Sequence, residues 1–379
     1  MKFLFASDSF KGTITSAQAG KFLAAAAHEA FPQAHVHILE VADGGEGTVC
    51  AVVAATGGSL REVRVTGPLG APTIATYGLI GNGHAIIEMA SASGLPLIPV
   101  SQRNPLATNT YGTGELIADA LNQGARDISL AIGGSATNDG GMGCMRALGV
   151  RFEDDSGTEL AGTGADLIRV AHIDLTRADA RLAQTRFHVM CDVDSPLLGP
   201  RGATYVFGPQ KGASAAVVDE LEAGMAHYAK KLCDTFEGFD PQAPGMGAAG
   251  GLGAAARAFL GAETAPGIER VLDLVGFDDL LEDCDLCVTG EGHADAQSAH
   301  GKVVSGIARR CKAHGVPCIA LVGGMDAAAH ELLRCGVSAL VPTVMDVASL
   351  ETTLAHAEEN YAFASQRLFS LLRIGTSLA

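Results

Sequence analysis

Residues 3–48 read FLFASDSFKGTITSAQAGKFLAAAAHEAFPQAHVHILEVADGGEGT, and the order of patterns in this stretch decides the fold. An apolar run at Phe3–Ala6 has the length of a buried strand and stops at the polar Ser7-Asp8-Ser9. Helical spacing then runs from Ser16 to Ala30, a second strand from His35 to Val41, and a second helix begins after Glu46. Two βα units in succession predict a parallel sheet. The pattern returns late in the chain, where Asp285–Thr289, Pro317–Val322 and Ala339–Val344 read as strands. Helical stretches starting near Lys302 and Asp326 separate them. Leu350, Leu354, Tyr361, Leu368 and Leu372 recur at spacings of four and seven, which puts one apolar stripe on a closing helix.

Different material lies between. Residues 61–90, REVRVTGPLGAPTIATYGLIGNGHAIIEMA, alternate polar and apolar positions around Gly, Pro and Asn turns, the pattern of antiparallel strands and hairpins. Glycine-rich loops then separate a helix near Gly114–Asn122, strands near Ile128–Ile132 and Phe187–Cys191, and helices near Ala213–Leu232 and Leu252–Leu260. The expected fold class is α/β with two domains. A Rossmann- or flavodoxin-like parallel-sheet domain is built from residues 1–60 plus 284–379, and a mixed α/β domain at 61–283 is inserted in it. Two lobes imply a cleft.

Composition bounds the function. At about 150 residues per domain, 379 residues make two or three domains. The 48 glycines far exceed the roughly 27 of an average chain, while tryptophan is absent. Lys plus Arg number 26 against 42 Asp plus Glu, a formal charge of -16, which excludes a broad nucleic-acid footprint. No run of about 18 apolar residues offers a membrane span, and the MKFLFASD start has no signal-peptide core, so a cytoplasmic protein is expected. Nine cysteines lack the spacing of a disulfide framework. Cys284 and Cys287 have the spacing of a zinc knuckle, but no second such pair completes a metal set, and they read as buried thiols.

Ligands of open parallel sheets bind outside the carboxyl ends of the strands. Three such ends are polar here: Ser7–Gly12, Asp43–Thr48 and Thr289–Asp295. All leave one edge of the proposed sheet, so their carboxylates and Lys11 can converge. The inserted domain adds four loops. Ile132–Gly141 has amides and hydroxyls placed to cradle phosphate, Asp192 and Asp194 end a strand, Lys211 sits in a turn, and Pro244–Gly253 opens a helix. The last contains a literal GxGxxG at Gly245, Gly247 and Gly250, but a loop precedes it instead of a strand, so a phosphate-binding helix start is preferred to a nicotinamide site. No P-loop and no protein-kinase loop is found, yet glycine loops, lysines and acids supply what phosphoryl transfer needs.

Taken together, the loops resemble the bacterial glycerate kinase family, type 1. DSFKG (8–12), ADGGEGT (42–48), YGTGELI (111–117), IGGSATNDGG (132–141), CDV (191–193), FGPQKGA (207–213), GAAGGLG (247–253), TGEG (289–292) and GK (301–302) occur in the family's order. The resemblance implies two α/β domains, one inserted in the other, with ATP and magnesium as cofactors. It further implies phosphorylation of D-glycerate, usually to 2-phosphoglycerate, in glyoxylate, glucarate or galactarate breakdown. A 3-phosphoglycerate-forming enzyme, or a kinase of another small hydroxy acid, is the alternative. Three positions depart from the family pattern: Ser195 for an Asn, His293 for an Arg and Val304 for a Pro. His293 weighs most, because Arg is always charged and bidentate whereas His near neutrality is only partly protonated.

Loop position and family order together give the site. Asp192 is the first choice for the base and Asp8 the second, with Lys11 pairing an anion. Glu291 and Asp295, with Asp43, are expected at magnesium or a substrate hydroxyl, since that hard ion takes few carboxylates plus phosphate oxygens and water. Ser135, Thr137, Asn138 and Asp139 with neighbouring glycine amides, Lys211, Gly250 and Gly251 are expected at phosphate, and Ser9, Glu46 and His293 at substrate. The partners are then the small molecules D-glycerate and ATP, with neither nucleic acid nor membrane, and a homo-oligomer left open.

Overall fold

The computed structural model describes residues 1–10, 12–299 and 301–378. Strands β1 (Lys2–Phe5) and β2 (His35–Ile38) come first. Next are β3 (Ser59–Thr66), β4 (Pro72–Ile80), β5 (His84–Glu88), β6 (Asp127–Ala131), β7 (Arg151–Glu153), β8 (His172–Asp174), β9 (Arg186–Met190) and β10 (Glu263–Ala265). The last three are β11 (Leu286–Ala294), β12 (Cys318–Met325) and β13 (Ala339–Pro342). The chain forms two units: Met1–Asp43 with Ala54–Thr56 and Gly267–Ala379, and Gly44–Val53 with Gly57–Pro266.

The first unit carries a sheet of order β13-β12-β11-β1-β2 in which every pair is parallel. Its direction of growth reverses at β1, with β2 on one side and β11 on the other, the arrangement that opens a crevice at the carboxyl ends. Period-two alternation sends Phe3 and Phe5 of β1 to one face and Leu4 to the other. Phe3 and Phe5 pack with Leu23, Tyr361 and Phe369 from the helices Ser16–Ala30 and Ala357–Thr376. Leu4 packs with Val304 and Ile307 of the helix Val303–Ala313. The Ser16–Ala30 helix starts where the sequence sets it: the Thr15 amide donates to Gln18 Oε1 at 2.9 Å and the Gln18 amide to Thr15 Oγ1 at 3.2 Å.

Two local expectations are corrected. The Thr289–Asp295 segment is strand as far as Ala294, because Gly323 and Gly324 of β12 allow pairing to continue to His293 and Ala294. A Cβ on Gly323 would lie 2.3 Å from the Gly292 carbonyl oxygen, so only a bare backbone passes there. The closing stripe is also interrupted. Ser349 caps a short helix, Leu350–Ala355, which ends at His356 before Ala357–Thr376 begins. Tyr361 and Leu368 are buried as expected, whereas Leu350 and Leu354 are 74% and 48% exposed.

The second unit is a mixed sheet of order β10-β9-β6-β5-β4-β3. β3, β4 and β5 pair antiparallel, with β4 and β5 joined at Asn82 and Gly83 in left-handed conformations, and the remaining pairs are parallel. Its core gathers Leu116, Ile128, Leu130, Met145, Met225 and Leu252. Both units are α/β, the class the sequence predicts.

Candidate functional site

A cavity of about 1000 Å³ opens in the first unit where β1, β11, β12 and β13 end. One part of its lining is ionic: Asp8, Asp43, Glu291, His293, Asp295 and Lys302. Another is apolar, made by Val344, Val347, Leu350 and Leu354, and this is where the two misplaced leucines go. The Asp8 amide donates to the Gly290 carbonyl at 2.9 Å, extending the β1–β11 pairing past Phe5, so that Asp8 and Glu291 occupy adjacent strand ends. Ser9 lines the same cavity, and its amide donates to Asp8 Oδ1 at 2.7 Å.

The carboxylates differ in how they are held. Asp295 Oδ1 accepts from the Gln297 and Ser298 amides at 2.8 and 3.2 Å. Desolvation works to raise its pKa, but those amides, followed by Lys302 and His293, outweigh it and leave the carboxyl below its ordinary range. Glu291 is only 7% exposed, and its Oε1 has no hydrogen-bond partner among the described residues. Burial pushes its pKa from 4.5 to about 7; the Ser298 hydroxyl and Lys302 oppose this, while Asp8 and Asp295 add to it. A buried acid with a bare oxygen and two anionic neighbours is a place where a cation is favoured. Lys302 was readable only as the end of a GK pair, and Thr343, Gly323 and Gly324 carried no chemical signal in the sequence.

In the second unit the glycine loops meet one another. Asp139 is fully buried and accepts from the Thr110 amide at 2.8 Å, the Thr110 hydroxyl at 2.7 Å, and the Gly143 and Gly141 amides at 3.1 and 3.2 Å. Burial raises its pKa against those donors. Lys211 is 1% exposed, and its ammonium donates to the Thr137 carbonyl at 2.6 Å. Burial lowers that lysine to about 7, with Asp139 opposing. The Asn138 side-chain Nδ2 donates to Thr204 Oγ1 at 3.2 Å, and the Gly140 backbone amide to the Gly250 carbonyl at 3.0 Å. Ala249, Gly250 and Gly251 are all left-handed, so the Gly245–Gly253 segment is a reversal pressed onto Thr137 and Asn138 rather than the plain first turn of a helix. Ser135, Thr137, Asn138, Asp139, Lys211, Gly250 and Gly251 are thus buried side by side, while Gly133 and Gly134 of the same loop remain exposed.

Asp192 and Asp194 are exposed beyond the end of β9. Glu46 is exposed and belongs to the second unit, whereas Asp43 belongs to the first. Lys11 lies outside the described residues. Glu88, at the end of β5, is a residue the sequence reading missed; its only signal was an acid closing the apolar AII run. Its Oε1 accepts from the Val49 amide at 2.7 Å, capping the helix Thr48–Thr56. Burial raises its pKa, against the amides of Val49 and Gly47. The amide end of that helix is thus capped by the chain's own carboxylate. Glu88→Ala is expected to lower the stability of the second unit by about 1–3 kcal/mol, read as an earlier thermal transition. An unchanged transition would remove the capping role.

A family model for the glycerate kinase family matches residues 3–373. The chain is 45% identical over 364 residues to a glycerate kinase from Bacillus subtilis (strain 168), covering 95% of this chain and 94% of that one. It is 42% identical over 376 residues to a glycerate 2-kinase from Escherichia coli (strain K12), covering 99% of each. A crystal structure from Salmonella typhimurium LT2, named as a candidate glycerate kinase 2, superposes with a TM-score of 0.90 at 41% identity and covers 100% of this chain and 99% of its own.

Proposed function

The chain belongs to the glycerate kinase family and is a kinase, and from that premise we propose that it transfers the γ-phosphoryl group of ATP to the 2-hydroxyl of D-glycerate. 2-Phosphoglycerate and ADP are the products, in the breakdown of organic acids such as glyoxylate, glucarate or galactarate. The observation that carries this reading is the cavity of the first unit, where four acids, Lys302 and His293 share one space with an apolar wall. The apolar wall suits a nucleotide base, and the ionic part suits phosphates and a small hydroxy acid.

Each group has a task set by its environment. Lys302, with Lys11 and His293, attracts the glycerate carboxylate and phosphate oxygens. The bare, buried Glu291 Oε1 and the neighbouring Asp295 and Asp43 are hard oxygen donors of the kind magnesium takes. When bound there, the ion supplies neutralisation of phosphate charge. The transferring hydroxyl loses its proton to a carboxylate, and Asp8 and Asp192 are the two candidates. In the second unit, contact with phosphate falls to the exposed Gly133 and Gly134, while Thr137, Asn138, Asp139 and Lys211 hold that loop in shape. Positioning and electrostatics carry most of the rate in such a reaction.

Incubation of the purified protein with magnesium-ATP and D-glycerate, followed by phosphorus NMR, is expected to show 2-phosphoglycerate. A 3-phosphoglycerate signal would keep the kinase and reverse the regiochemistry. Product from another hydroxy acid, with none from glycerate, would remove the substrate. In the same assay, the base is whichever of Asp8→Asn and Asp192→Asn loses about 10²–10⁴-fold in kcat with unchanged circular dichroism. Near-normal turnover in both would remove both.

A further inference from the structure

Beneath the floor of the first unit's sheet, Cys287 of β11, Cys318 of β12 and Cys311 of the helix Val303–Ala313 bring their Sγ atoms within 4.8 Å of one another. All three residues are 0% exposed. Their meeting follows from the topology: Cys287 and Cys318 are directly paired across parallel strands, which turns both side chains to the same face, and the helix on that face supplies Cys311. Kinase chemistry makes no use of them.

We propose that these three thiols form a binding site for one soft, thiophilic dication. Zinc–sulfur bonds are about 2.3 Å, so three sulfurs around a central ion sit about 4 Å apart, inside the spacing the fold already provides. The donors are all sulfur, which selects soft ions and rejects the magnesium suited to the carboxylates above. Thiol-to-thiol hydrogen bonding shares the protons unequally: Cys287 and Cys318 pull the Cys311 thiol below the ordinary thiol range, with His314 assisting, while the other two are held above it. Binding is balanced as one dication plus three thiols giving a tris-thiolate complex of charge -1 and three protons released to solvent. His314, which pairs with Asp278 at 3.6 Å, also acts on Cys311. Cys284 stands at the margin, its thiol directed to the Leu286 carbonyl at 3.4 Å.

The site sits under the strand that carries Glu291, four positions after Cys287, and on the helix that follows Lys302. Occupancy should stiffen both supports of the cavity.

The test is titration of the reduced, full-length protein with Cd(II) alone, following the ultraviolet thiolate-to-metal charge-transfer band and the melting temperature. One equivalent should saturate the band, raise the melting temperature and release protons, and Cys311→Ser should abolish all three while Cys50→Ser and Cys233→Ser, the exposed cysteines, leave them intact. Absence of a saturable band in the wild type overturns the proposal, as does an undiminished band in Cys311→Ser. If Cys311→Ser fails to fold, Cys318→Ala replaces it with the same two outcomes.

Discussion

Glu291→Gln is expected to lower kcat/KM for phosphoryl transfer by about 10²–10³-fold and, at the same time, to raise the melting temperature at pH 8. Both effects come from one buried charge. The wild-type carboxyl is neutral in the unfolded chain only below about 4.5 but stays protonated in the folded protein up to about 7. Its folded pKa is the higher one, so the stability it contributes is fully present below the unfolded value and is lost as pH rises through about 7. At pH 8 the folded protein holds a desolvated charge that Gln lacks, a difference of at most about 3–4 kcal/mol, or several degrees. At pH below about 4.5 the two proteins should melt together. Calorimetry without magnesium at both pH values, beside a coupled ATP assay, reads both halves. A variant that keeps full turnover would take Glu291 out of the site; one that melts earlier at pH 8 would mean the carboxylate is satisfied after all.

Gly250→Ala should cost the second unit about 3–5 kcal/mol, a large part of the stability of an ordinary domain. Gly250 has φ of 67°, and a Cβ there would lie 2.0 Å from the Thr137 carbonyl oxygen and 2.8 Å from Asn138 Cα. The left-handed backbone alone costs roughly 1–2 kcal/mol with a side chain. The remainder comes from overlap with main chain, which has no rotamer into which to retreat. Gly261→Ala separates the two contributions, since its φ is 61° but nothing lies within 4 Å of the added carbon. Thermal melting should show a small loss for Gly261→Ala and a large one, or insoluble protein, for Gly250→Ala. Equal losses would mean that conformation, and not the close approach, decides.

That glycine marks the limit of what the sequence discloses. Strands and helices were legible because burial writes periods of two and 3.6 into the chain, and the convergence of Asp8, Asp43, Glu291 and Asp295 followed from their common place after parallel strands. Bare backbone, however, is needed equally where a phosphate approaches and where another loop approaches. Gly250 and Gly251 serve the second purpose, packing on Thr137, Asn138 and Gly140. Lys211 was ambiguous for a related reason: a lysine between glycines reads as a reaching cation, but its partner here is a carbonyl of its own unit. Leu350 and Leu354 kept helical spacing across a break that leaves no mark on apolar periodicity, and so read as core although they line the cavity. Glu88 was invisible because the amides it caps lie 39 residues away.

The first sheet also fixes an order of events during synthesis. Phe3 of β1 pairs with Leu286 of β11, 283 positions later, so the strand made first waits for one made near the end. Closing so long a loop is slow, and the second unit, complete by Pro266, can fold while β1 is still unpaired on that side. Asp8 and Glu291 come together only when β11 arrives. A nascent or truncated chain ending before β11 should therefore hold a folded second unit and no trace of the cavity, which makes activity a report on the finished chain alone.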